Sequence, residues 1–246
     1  MLDPANACWQ NGVYVWDLKR GDAVGLLDDL KKQADMVKTQ QILQQNLQGD
    51  KLKLVEEKMK QTFQYVHELL KQLAVVKPSN PLMFSIAGVA NLIGLALTDS
   101  FIDYRRKRIG DKEYFDTIHF FIKWESGNTV TVNCDDSTSA QRAREALWAS
   151  KVKFSEEEKK SPKGILIGAR YTFPAAIVTD ITVTADHLQG ELLIQAKNLF
   201  GVGVEQLKIP APEVTDDLLE DLAKALIGQK SNIGKFRVTK GPGALR

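Results

Sequence analysis

Apolar side chains recur at spacings of three and four through Leu52, Val55, Met59, Thr62, Val66, Leu69 and Leu73, which is the pattern of one helical face. Phe63 and Leu70 flank this row and widen it to the face of a bundle helix. A helix with such a stripe has to cover it, and this requirement constrains the chain more than any other feature. Either other helices cover it, or the second half of the chain does.

Upstream, Leu27, Leu30, Ala34 and Val37 repeat the same spacing, but their register does not continue past Gly49-Asp50. Glycine just past a helix and aspartate just before the next are strong stop and start residues. The expectation is therefore a long, coiled-coil-like helical hairpin with Gly49 in a left-handed turn. An unbroken helix would need a four-residue stutter at the join. Folded back as a hairpin, the two arms leave apolar surface over at Phe63 and Leu70. A second copy of the chain would cover it. Leu52, Val55, Met59, Phe63, Val66, Leu69, Leu70 and Leu73 are thus the expected oligomerisation residues, and a homo-oligomer the expected state. An aromatic arm with Trp9, Tyr14 and Trp16 precedes the hairpin, and together they make a first region, 1–77.

Lys77-Pro78-Ser79-Asn80-Pro81 ends that region, because two prolines within four residues stop a helix. Asn80-Pro81 also reads as the N-cap and first position of a new helix. Residues 82–98 (LMFSIAGVANLIGLALT) carry no charge. The reading is an apolar helix over 81–109, buried in the fold through Ile86, Val89, Leu92, Ile93 and Leu97. The competing reading is membrane docking. The stretch falls short of the roughly 20 residues a span uses, but Ala90 and Gly94 form a small-xxx-small pair and basic residues follow. Those residues, Arg105, Arg106, Lys107 and Arg108, are the one dense basic run and a possible anion-binding site. At the end of a helix they would equally complement its dipole.

The second region, 78–246, continues with strand-like texture over 114–209. Tyr114–Trp124 alternates, Glu125–Asn128 reads as a turn, and Thr129–Asn133 as its partner strand. Asp135-Asp136 caps a helix reaching Trp148. Residues 153–163 read as a solvated loop, and strands resume at 165–173, 175–184, 192–196 and 202–209. A C-terminal amphipathic helix over 214–228 buries Leu218, Leu219, Leu222, Ala225 and Leu226, and the tail from Thr239 reads as unstructured. The fold class is α+β: helical hairpin, buried apolar helix, then a mixed, mostly antiparallel β region with two helices.

Chemistry is sparse. With 33 basic and 31 acidic residues the net charge is +2, which does not argue for a nucleic-acid partner. Two cysteines and three scattered histidines give no disulfide framework and no metal-ligand spacing. The opening residues hold no signal-peptide core, so a cytoplasmic protein is expected. No nucleotide-binding, hydrolase or metalloprotease motif occurs, and no cofactor, metal or catalytic residue is expected. The functional reading is a non-enzymatic oligomeric scaffold or adaptor, binding itself and a further protein partner. The alternatives are a peripheral membrane protein docking through 82–98 and 105–108, and a receptor for an anionic small ligand such as a nucleotide.

Overall fold

The computed structural model describes residues 22–238, and their side chains from residue 30 onward except 41–45. Readings of residues 1–21, of the tail 239–246, and of the Leu27 side chain lie outside it. The chain divides into two units at Gln48/Gly49.

Helix α1 runs Asp22–Val76 without a break, so the predicted hairpin does not form. Gly49 lies within the helix and is not among the positive-φ glycines. A glycine inside a helix costs only about 1 kcal/mol against alanine. The Leu, Lys, Glu and Gln residues on either side restore that, and Asp50 caps nothing. In the first unit α1 presents Leu30, Met36, Val37 and Leu47 to solvent, each more than half exposed. In the second unit its stripe is sealed, with Val55, Met59, Thr62, Val66, Leu70 and Leu73 all buried.

The apolar helix predicted over 81–109 is also absent. After a two-residue strand β1 (Ser79–Asn80), the stretch forms a hairpin of β2 (Phe84–Ile86) and β3 (Ala90–Leu92), then the long β4 (Leu95–Ile109). Gly88 (φ +69°) and Gly94 (φ +65°) sit in a conformation that a helix cannot use and a turn requires. Alternation settles the rest. Phe84 and Ile86 are buried around exposed Ser85, and Leu95 and Leu97 are buried on either side of a less buried Ala96. Of the expected core positions, Ile86, Leu92 and Leu97 are buried, Val89 is partly so, and Ile93 is 66% exposed. The Asn80 side chain does accept the Leu82 N–H, at 2.9 Å, but no helix follows it.

Strand β5 (Lys112–Cys134) is continuous. The turn expected at Glu125–Asn128 is a bulge, where the pairing with its neighbour shifts between Glu125 and Thr129 and Gly127 takes φ +72°. Helix α2 (Ser137–Ala149) follows, capped by Asp136; its Trp148 is 70% exposed. The supposed loop 153–163 contains β6 (Ser155–Lys160). The two strands expected at 165–184 are one strand, β7 (Leu166–Asp186). It passes through Pro174, which lies opposite the β5 bulge, where a missing N–H does least harm. Strands β8 (Glu191–Lys197) and β9 (Val204–Pro210) and helix α3 (Asp216–Leu226) complete the chain.

Seven strands form one antiparallel sheet in the order β1-β4-β5-β7-β8-β9, with β6 also on β7. The architecture is thus sheet-dominated rather than a helical hairpin beside a smaller β region. One sheet face is the core. Ile118, Phe120, Ile122 and Trp124 of β5 lie beside Ile177, Ile181 and Val183 of β7 and Ile194 of β8, all buried. The α1 stripe and the apolar face of α3 join the same cluster. Polar ties fix them there. The Phe115 N–H donates to Glu56 at 2.6 Å, and Gln61 donates to Asp216 at 2.7 Å. No helix among the described residues is long and apolar enough to cross a membrane.

Candidate interaction surface

In a strand every second side chain points the same way, so the residues between the core positions make a second, outward face. On β4 that row is Asp99, Phe101, Asp103, Arg105 and Lys107. Opposite it on β5 stand Thr117, His119, Phe121 and Lys123, followed by Val178, Asp180 and Thr182 on β7, then Leu193 and Gln195 on β8. Phe101 and Phe121 stack with ring centroids 5.8 Å apart. Phe101 is 49% exposed, Val178 and Leu193 each 38%, and Val204 at the far edge 60%. Charged groups ring these apolar positions, including His119 Nε2 3.3 Å from Asp180 and Lys123 2.8 Å from Glu125. Apolar centres with a polar rim are the composition of a protein contact surface.

This face ends at β4, whose outer edge is open. β1 pairs only with Ala96 and Leu95, so from Asp99 to Ile109 β4 has β5 on one side and no strand among the described residues on the other. The Tyr104 N–H is taken by the carboxylate of its own neighbour Asp103, at 2.7 Å. An unpaired row of backbone donors and acceptors is a template for another strand.

The structure separates the basic run that the sequence brings together. On β4, Arg105 and Lys107 point outward and Arg106 and Arg108 inward, so the four do not converge on one ligand. Arg106 lies 3.4 Å from Glu56 and over the Phe115 ring, Lys107 is 2.8 Å from Asp116, and Arg108 is 3.9 Å from Asp111. The Lys107 ammonium, hydrogen-bonded to Asp116, holds that carboxyl below the usual range. The expected oligomerisation stripe is used within the chain. Val55, Met59, Val66, Leu70 and Leu73 are buried, and Leu52, Phe63 and Leu69 are half-buried. Phe63 meets Tyr104 at 4.8 Å and Phe115 at 6.1 Å. The alternation Asp99-Phe101-Asp103 against Ser100-Ile102-Tyr104 marks Phe101 as outward, a signal that a helix over 81–109 overlooks, whereas nothing local marks the β4 edge.

A polar cluster joins α2 to β6 and β7. Arg144 pairs with Glu156 and Glu158, while the Tyr171 hydroxyl lies 2.7 Å from the Ala140 carbonyl and 2.9 Å from Glu156. Burial first, then Glu156, pushes the Tyr171 phenol up to about 12. It therefore stays protonated at neutral pH as a tie between elements. Among the described residues no group of three His, Cys, Asp or Glu side chains is placed to hold a metal, and Cys134 is a buried free thiol. Compared with known proteins, the chain matches no family model, no curated protein and no solved structure.

Proposed function

We propose that the protein is a non-enzymatic scaffold that works through protein–protein contact and associates with itself. One observation carries this reading: the outward sheet face, centred on the Phe101–Phe121 stack, is continuous with a strand edge that has no partner among the described residues. Exposed apolar surface that adjoins open backbone hydrogen-bonding groups is what a protein partner covers. The exposed Leu30, Met36, Val37 and Leu47 of α1 offer a second adhesive surface, suited to a helical partner. The low cysteine count fits a reducing setting such as the cytoplasm. The basic run favours neither anion nor membrane binding, because carboxylates already pair three of its four members.

Sedimentation equilibrium on the full chain tests the proposal. The expected result is a mass above that of the monomer at tens of micromolar, roughly the range in which a modest specific interface is populated. Replacing Phe101 and Phe121 together by Lys should return it to monomer while the chain still folds cooperatively. A wild-type chain that stays monomeric throughout that range overturns the reading.

A further inference from the structure

We infer that the occupant of the β4 edge is a second copy of this chain, paired antiparallel about a two-fold axis at Tyr104. The inference rests on the scaffold reading and names the contact by which the copies join.

Three features of β4 point to it. The first is its length. Among the described residues the open edge runs from Asp99 to Ile109, and a two-fold pairing that uses all of it must centre on the midpoint, Tyr104. The second is the direction of the backbone. The Tyr104 N–H donates to the Asp103 side chain, as an N–H on the open side of the strand would. In an antiparallel ladder such outward-directed groups recur every second residue, which gives Ser100 and Ile102 the same aspect. A hydrogen-bonded pair of the two Tyr104 residues is therefore an allowed centre.

The third feature is charge. The first half of the edge is acidic, with Asp99 and Asp103, and the second half basic, with Arg105, Arg106, Lys107 and Arg108. A strand that protects its edge by charge alone would carry one sign along it. This one is complementary to its own reverse. Centred on Tyr104, Asp103 faces the second copy's Arg105, Phe101 faces the second copy's Lys107, and each contact occurs twice. No like charges meet. A shift to a centre at Asp103 sets two carboxylates against each other, and a centre at Arg105 sets two guanidiniums together. Directly opposed like charges destabilise a strand pair, so the charges select the register. The Asp103 carboxylate, now capping the Tyr104 N–H, would exchange that bond for the second copy's Arg105. The two outward faces would then run on as one sheet, with a Phe101–Phe121 stack on each side of the axis.

A charge swap on the full chain tests the register by sedimentation equilibrium, with thermal melts confirming that each variant is folded. Both positions are solvent-exposed, so folding should survive. Asp103→Arg and Arg105→Asp should each weaken dimerisation by about tenfold or more, the effect of two lost ion pairs and two new repulsions. The double variant should return to within about threefold of wild type. Singles that dimerise like wild type would place the contact on another surface, ending this inference while leaving the scaffold reading standing. Singles that weaken without rescue in the double would overturn the register. A monomeric wild type would overturn both.

Discussion

Phe120 and Phe121 are chain neighbours on β5 with identical side chains, yet their surroundings have little in common. Phe120 is fully buried beside Ile102 and Ile181, whereas Phe121 is partly exposed and touches Phe101, itself half in water. The difference is a single step of the pleat. It teaches that in this protein the face of the sheet, not the residue type, decides whether an aromatic ring holds the fold together or is available to a partner. The inward row is closed by α1 and α3. The outward row sets Phe101 and Phe121 among charged and polar side chains and remains half open.

The largest expected effect tests that contrast directly. Phe120→Ala should cost about 3–5 kcal/mol, the lost transfer energy of a buried ring plus the cavity it leaves. Phe121→Ala should cost no more than about 1.5 kcal/mol, the worth of a partly exposed aromatic pair. Urea denaturation of both variants measures the gap. Losses within about 1 kcal/mol of each other would mean that the two faces are not energetically distinct.

A smaller effect sharpens the rule at its exception. Gly168 occupies an outward position on β7, and yet it is buried. A Cβ there would clash with the Cys134 carbonyl oxygen, where β5 gives way to Asp135. Backbone has to shift to admit it, so Gly168→Ala should lose roughly 1–3 kcal/mol, the range for overpacking. A variant as stable as wild type in the same denaturation assay would show that the chain crossing yields freely.

The sequence made some of this legible and hid the rest for physical reasons. The stripe from Val55 to Leu73 is visible because a helix writes its buried face at spacings of three and four over many turns. What covers it is a long-range matter that spacing does not encode. The segment 82–98 misleads because three-residue strands are too short to establish a period, and its lack of charge is equally suited to a helix. Gly88 and Gly94 were the better signal, since each marks a turn. Glu125–Asn128 shows the same ambiguity: a hairpin turn and a bulge both want Gly127 at positive φ, and only the partner strand distinguishes them. At Gly49-Asp50 good capping residues were present but unused, because one glycine is too small a penalty to end a helix of this composition. The candidate surface was the least legible part. Whether a strand lies at an edge belongs to the topology, and no local pattern on β4 announces it.

The smallest expected effect belongs to a residue with no buried face. Asp136 caps α2, its carboxylate accepting the Ser139 N–H at 2.8 Å. That bond, followed by the Ser139 side chain, lowers its pKa below the ordinary value. A carboxyl whose folded pKa is depressed contributes its full stabilisation above the unfolded value of about 4. It loses the contribution as pH falls through the folded pKa, because the folded state then has to take up a proton that weakens the cap. Asp136→Asn keeps an oxygen acceptor at the cap but removes the titration. Wild type should therefore melt slightly above the Asn variant at pH 6 to 7, with the charge also favoured at a helix N-terminus. The gap should close as pH is lowered past about 4. Thermal melts of both proteins from pH 7 to pH 3 check this, provided each still unfolds cooperatively at the acid end. If the gap stays constant across that interval, the cap works through hydrogen bonding alone and its charge contributes nothing.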